Sequence, residues 1–324
     1  MKLLLLPVIS LALACAAAAQ TPLISSTPVI GFYKFDVPVG TSIWTCGLVT
    51  KKAFQGQATS ITPGVNSTIF RNGATWGAFD LHYLEILSGP QAGLVLDIIS
   101  NTADTVLVKG NTTPFGLTGT ESFCIRAHAT LGKVFKDGAG LTAGSDTVTI
   151  IRESGGVTYS FNGTNWEDPD FGDASNIIIY PGQAFLISHG GAAPATIIFG
   201  GDDVAYVKGG PTKVPLYPGV PNLVGLINPL VSTNPADSFF ATSATVLGDY
   251  GFEESLVAGN DNVEIRLNNG SLTSLGVYQS NGTNLEDGSF EDATNVSIRN
   301  GSGLIIGVSV DGTWTAPALL SAGE

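Results

Sequence analysis

Four carboxylates crowd one short stretch of the chain: Glu167, Asp168, Asp170 and Asp173. Closely spaced hard oxygens of this kind are what Ca²⁺ takes as ligands. The pattern Asp168-x-Asp170-x-x-Asp173 lacks the closing Glu of an EF-hand loop. A second observation weakens the cation reading further. Residues 159–187 recur, without a gap, as residues 278–306. Asn162-Gly163-Thr164-Asn165 returns as Asn281-Gly282-Thr283-Asn284, Glu167-Asp168 as Glu286-Asp287, Phe171 as Phe290, and Asp173-Ala174 as Asp292-Ala293. In the second copy Pro169-Asp170 becomes Gly288-Ser289, so one carboxylate is lost. The shared Asp173/Asp292 and Asn176/Asn295 read as turn residues that bond neighbouring backbone N–H groups. Asp168, Asp170 and Asp173 therefore stand as outside candidates for calcium, and no metal ligand, catalytic residue or cofactor-binding residue is assigned.

Other chemistries find less to work with. Glu167 and Asp168, or Glu286 and Asp287, are chain neighbours, and on a strand they point to opposite faces. A glycosidase needs its two carboxyls facing one another across a bond. His82, His128 and His189 are scattered, with no metal-binding spacing. No Gly-x-Ser-x-Gly elbow stands out for a serine hydrolase. Trp44, Trp76, Trp166 and Trp314 could serve as sugar-stacking platforms. Core packing is the favoured reading, because Leu285 replaces Trp166 in the second copy.

The elements that must carry these residues are strands. Gly 41 and Pro 17 punctuate the chain, and hydrophobic residues make up 44% of it, too many for disorder. Charged residues are only 13%, and the net charge is −13. That balance argues against a nucleic-acid partner, whose phosphates need clustered Lys and Arg. Runs of Val, Ile, Leu and Thr bounded by turn residues, with no helical period, predict strands throughout. The Asn162-Gly163 pair predicts a two-residue hairpin turn.

Residues 1–19 read as a secretory signal: Lys2, an apolar run from Leu3 to Leu13, then small residues. The expected location is secreted or cell-surface, with no transmembrane span in the mature chain. Export makes Cys46 and Cys124 disulfide candidates; a bridge would close a loop of about 78 residues and add about 4–5 kcal/mol. Alternation, however, puts Cys46 on an inward face and Cys124, between Ser122 and Arg126, on an outward one. Two unbridged thiols are as well supported.

The copies imply an organisation. Residues 20–128 form an N-terminal β region, 129–203 a first repeat and 204–324 a second. Residues 32–49 weakly match 206–227, which would make 53–128 a smaller β module inserted in the first unit. Residues 256–261 match 141–146 four residues out of step with the later match. The extra residues are expected in the hairpin strands.

In this order, the chain resembles a family of secreted bacterial proteins of unknown function that occur as multiple paralogues. The resemblance rests on residues 31–40 (GFYKFDVPVG), 84–108, 119–125 (GTESFCI), 129–135 (ATLGKVF) and the NGTNW…DAS…PGQAFLI run. It implies export and β-rich structure, and implies no activity. Where many members carry Arg beside the hairpin aromatic, this chain has Glu167 and Glu286. The combined expectation is an all-β chain of two sandwich- or barrel-like units. Its role is a secreted, non-enzymatic structural or adhesive surface protein, and its expected partner is either a glycan or another copy met through sheet edges. The alternative is a carbohydrate-binding protein, calcium-dependent or not.

Overall fold

The computed structural model describes residues 33–46, 48–199, 204–207, 210–225, 245–298 and 302–317. The signal expected at 1–19 lies outside them, as do Phe32, Lys208, Leu226 and Ile227 of the weak match and Gly301 of the strong one. The described chain is all-β, and its one α-helix is the four-residue Leu131–Val134. No helix among the described residues is long and apolar enough to cross a membrane.

Residues 52–127 make a seven-stranded antiparallel sheet that no outside strand joins. Next to one edge, Ser122–Ala127 lies between the edge strand Lys52–Gln57 and His82–Ile86. Alternation divides these strands cleanly. Leu84, Ile86, Phe123 and Ile125 fill the module's own core. Tyr83, Glu85, Cys124 and Arg126 take the other face. That face was expected to be outward, yet all four residues are buried. Thr50, Tyr180 and their neighbours, from outside the module, cover it.

The segments before and after the module meet in one structure. Gly40–Thr45 pairs with Ala184–His189, Tyr33–Val37 with Ala195–Phe199, and Leu48–Thr50 with Val204–Val207. The first five-stranded sheet runs in the order Trp166–Glu167, Gly155–Phe161, Thr147–Arg152, Ala184–His189, Gly40–Thr45. The second runs Leu285–Glu286, Ser274–Ser280, Asn262–Arg266, Gly303–Gly307, Asn222–Val224. The outermost strand pairs are Tyr33–Val37 with Ala195–Phe199, and Thr212–Leu216 with Gly312–Ala316. The start of the second set therefore differs from expectation. Residues 206–207 pair back onto Leu48–Thr50, and Thr212–Leu216 takes the place assigned to them. A short apolar motif specifies a strand, but its hydrogen-bonding neighbour is decided by packing far along the chain.

The hairpin also differs. Thr147–Arg152 turns through Glu153-Ser154 into Gly155–Phe161. Asn162 to Asn165 form a four-residue loop, closed by the Asn162 Oδ1, which accepts the Thr164 and Asn165 amides at 2.8 and 3.0 Å. This Asn side-chain turn competes with the two-residue alternative. The four extra residues of the second copy fall in the turn at 267–273, not in the strands. Those residues dock the two sheets. Asn268 donates to the Ile43 carbonyl at 2.6 Å and accepts the Ile43 amide at 2.8 Å. The Gly270 carbonyl accepts the Thr41 amide at 2.7 Å. A Cβ on Gly270 would lie 1.9 Å from the Val39 carbonyl oxygen, and its φ of +86° is left-handed, so only glycine fits there. Ile43, Ala184 and Leu223 fill the interface between the sheets, with Leu186, Leu272 and Ile305 packed around them.

Two further cores lie on the opposite faces. Phe135, Trp166 and Phe185 meet in the first. Tyr250, Phe252 and Trp314 stack in the second.

Candidate functional site

The acidic loop follows Trp166–Glu167, whose indole is buried and donates to the Phe135 carbonyl at 3.2 Å. From that anchor the chain leaves the sheet and turns on the Asp168 carboxylate. Asp168 Oδ1 accepts the Asp170 and Gly172 amides at 2.9 and 2.8 Å. The Asp168 carbonyl accepts the Phe171 amide at 3.0 Å. Asp173 Oδ1 accepts the Ser175 amide at 2.9 Å, a backbone hydrogen bond that holds its carboxyl below the ordinary range. The Asp168 and Asp173 carboxylates thus serve their own loop, and no group of three potential metal ligands converges among the described residues.

What the loop presents is Phe171. Its φ is +62°, and it is 80% exposed. The second loop repeats the arrangement. Asp287 Oδ1 accepts the Ser289 and Glu291 amides at 2.8 and 3.1 Å, and the Asp287 carbonyl accepts the Phe290 amide at 3.0 Å. Phe290 has a φ of +62° and is 81% exposed. A left-handed conformation costs an L-residue about 1–2 kcal/mol, which is why Gly and Asn usually fill it. A Phe that also leaves its ring in water gains no burial to offset that cost. These are the only exposed aromatic rings among the large exposed hydrophobics of the described residues. Phe171/Phe290 is a shared loop position that is neither turn former nor cap, and unlike the buried Ala174/Ala293 it faces solvent.

The tryptophans are not platforms. Trp44, Trp166 and Trp314 are buried, and Trp76 packs against Phe54 at 5.1 Å and against Phe79 and Phe123. No disulfide joins Cys46 to Cys124; both are buried thiols. Cys46 belongs to the first core. Cys124 Sγ donates to Glu85 Oε2 at 3.6 Å on the covered face of the module. Burial, and then the Glu85 charge, push the Cys124 thiol up to about 12. A bridge fails because the two residues serve different packing layers.

That covered face holds a polar network. Arg126 donates to Glu85 Oε2 at 3.4 Å and to the Thr50 carbonyl. His128 Nε2 meets Asp97 Oδ1 at 3.2 Å, and Asp97 Oδ2 accepts the Tyr180 hydroxyl at 2.8 Å. Burial alone would raise the Asp97 pKa, but the His128 and Tyr180 hydrogen bonds outweigh it and hold the carboxyl below its usual range. Arg152 lies 5.7 Å over the Tyr180 ring. The adjoining cavity, lined in part by Cys46, Thr50, Tyr83 and Tyr180, is about 10 Å³, room for about one water. His128 is 1% exposed. This His–Asp–Tyr set fastens the module to the first sheet.

His189 belongs to a second buried pair. Its Nδ1 meets Asp146 Oδ2 at 2.7 Å, and its Nε2 meets the Ala193 carbonyl at 2.8 Å. Both ring nitrogens face acceptors, an arrangement that favours the doubly protonated, cationic ring. Burial alone would lower its pKa; the Ala193 and Asp146 bonds outweigh that and raise it above the ordinary 6.5. A raised His pKa contributes stability that is complete below 6.5 and is lost as pH climbs through the raised value. Asp146 is held low, so its share is lost only in acid. Thermal melts against pH should therefore show stability falling above pH 6.5, and His189→Asn should flatten that limb. An unchanged limb would mean the ring is neutral.

Comparison of the chain with known protein families, with curated proteins and with solved structures finds no match.

Proposed function

We propose that the chain is a secreted, non-enzymatic structural or adhesive surface protein, related to the paralogous exported family it resembles, and that the Phe171 and Phe290 loops are its contact elements. The observation that carries this reading is the same left-handed, exposed Phe held at the same place in two loops. Each loop is braced by its own Asp and by the backbone, so a ring that contributes nothing to the core is kept in one position. Preorganised, exposed aromatics are what binding surfaces use, because little freedom remains to be lost on contact. The non-enzymatic part is supported by the burial of His128, His189 and Glu85, which leaves His82 as the one histidine that reaches solvent.

Carbohydrate is the second reading, since an exposed ring can stack on a sugar face. Calcium would enter only through Asp168, Asp170 and Asp173. Beads coated with the chain, applied to a glycan array and to a panel of cell-surface polymers with and without a chelator, test both. Binding should fall at least about tenfold in Phe171→Ser/Phe290→Ser, the loss of two ring contacts worth about 1 kcal/mol each. It should not respond to chelator. Retention confined to glycans would establish the carbohydrate reading. Equal behaviour of wild type and double variant on every surface would overturn the role of the loops.

A further inference from the structure

An Asn-Gly pair is where a polypeptide most readily attacks itself. The glycine nitrogen has no neighbouring Cβ to block its approach to the asparagine Cγ. The sequence holds five such pairs: Asn72-Gly73, Asn162-Gly163, Asn269-Gly270, Asn281-Gly282 and Asn300-Gly301. The last lies outside the described residues. In the other four the asparagine is exposed, so access of water does not separate them. Hydrogen bonding separates them.

Attack requires the side chain to swing its Cγ onto the next amide nitrogen. Three of the four asparagines must give up bonds to do so. Asn162 Oδ1 accepts the Thr164 and Asn165 amides, and its Nδ2 donates to Asn165 Oδ1 and Glu167 Oε1 at 2.9 and 2.6 Å. Asn281 Oδ1 accepts the Thr283 and Asn284 amides at 2.8 and 2.9 Å, and its Nδ2 donates to Glu286. The Gly282 amide is itself engaged, by Ser280 Oγ at 3.3 Å. Asn269 Nδ2 donates to Thr273 Oγ1 at 2.8 Å, while its Oδ1 accepts the Ser271 and Thr273 amides at 3.2 and 3.3 Å.

Asn72 differs. Its backbone amide donates to Thr59 Oγ1 at 3.1 Å, but among the described residues neither its side chain nor the Gly73 amide makes a hydrogen bond. The turn closes through a long bond, 3.3 Å from the Ala74 amide to the Arg71 carbonyl. A Cβ built on Gly73 would meet nothing within 4 Å, so a ring forming there has room.

We propose that Asn72 is a site of spontaneous modification, converted in the folded chain to aspartate and isoaspartate. The Gly73 nitrogen bonds to Asn72 Cγ and gives up its proton. The Cγ–Nδ2 bond breaks and ammonia leaves. Water then opens the cyclic imide. Breaking the new Cγ–N bond gives aspartate; breaking the original peptide bond gives isoaspartate, whose chain runs through Cβ and Cγ. Either product places a new carboxylate next to Arg71, whose Nη1 donates to the Gln57 carbonyl at 2.9 Å. The flanks of the turn are fixed. The Arg71 amide donates to the Asp104 carbonyl at 2.9 Å, and the Trp76 amide to the Ala103 carbonyl at 2.8 Å. The longer backbone of isoaspartate is therefore confined to residues 72–75, and the module's sheet keeps its register. This inference does not rest on the phenylalanine loops.

Timed incubation of the purified chain at mildly alkaline pH, followed by peptide mapping with mass spectrometry, tests it. Conversion at Asn72 should outpace that at Asn162, Asn269 and Asn281 by at least about tenfold, since each of those must first lose two or more hydrogen bonds. In denaturant the four should convert at similar rates, because only the fold distinguishes them. Both measurements use the wild-type chain, so no variant has to fold. Conversion at 162, 269 or 281 as fast as at 72 in the folded chain would overturn the proposal. So would an intact Asn72 over a time in which the unfolded chain converts, or a preference for Asn72 that persists in denaturant.

Discussion

Arg126→Ala should destabilise the chain by about 3–5 kcal/mol, the usual result of removing one member of a buried ion pair. Glu85 and Arg126 are 2% and 4% exposed. They lie diagonally on neighbouring strands, Glu85 opposite Cys124 and Arg126 opposite Tyr83, beneath the segment that carries Thr50. Removing the guanidinium strips the Thr50 carbonyl and Glu85 Oε2 of its N–H groups and leaves the carboxylate in a covered layer. Replacing both residues, as Glu85→Met/Arg126→Met, should cost far less, because no charge is then left buried. Denaturant unfolding of the two variants makes the comparison. A double variant as unstable as Arg126→Ala would show that packing, not charge, dominates the junction. The network also fastens the module to the first sheet. Limited proteolysis of Arg126→Ala should therefore cut first around residues 51 and 128, where the chain enters and leaves the module.

Trp314→Ala should cost about as much, roughly 3–5 kcal/mol, for a different reason. Trp314 is fully buried, lies 4.9 Å from the Phe252 ring, and donates to the Tyr250 carbonyl at 2.8 Å. Truncation leaves a cavity and strands that carbonyl. The comparison of the two cores explains why so much rests on this ring. At two corresponding places the first core, which also holds Trp44, has Trp166 and, in the outer pair opposite Phe35, Ile197. In the second, Leu285 stands where Trp166 would, and Trp314 occupies the outer pair opposite Val214. Each core thus holds one large and one small side chain at these two places, exchanged between them. Volume is conserved although neither position is. Trp314→Phe should recover most of the stability, while Phe290→Ala, of similar size but exposed, should change it by less than about 0.5 kcal/mol. Thermal melting of the three variants decides the matter. Equal losses for Trp314→Ala and Phe290→Ala would mean the loop ring is part of the packing after all.

Much of the local structure is legible along the chain. Alternation in Val-, Ile- and Thr-rich runs, punctuated by glycine and proline, specifies an all-β chain, since side-chain direction in a strand has a period of two wherever the strand lies. The turn chemistry of Asp168, Asp173, Asp287 and Asp292 is equally local, because a short carboxylate reaches amides two to four residues away. The recurrence of 159–187 at 278–306 is legible for the same reason.

Alternation says which residues share a face, but not what lies against it. Glu85, Cys124 and Arg126 share a face that reads as outward from their neighbours alone. Only the docking of the first sheet buries it, and with it come the Glu85–Arg126 pair, the raised Cys124 pKa and the Asp97–His128–Tyr180 fastening. The start of the second strand set at 212 rather than 206, the role of the longer 267–273 turn, and the exchange of Trp166 for Trp314 were likewise hidden. The exposure of Phe171 and Phe290 at positive φ also needed the folded chain. Strand character and turn geometry follow from interactions between near neighbours in the chain. Burial, register and open edges follow from contacts between segments tens to hundreds of residues apart, which no local pattern encodes.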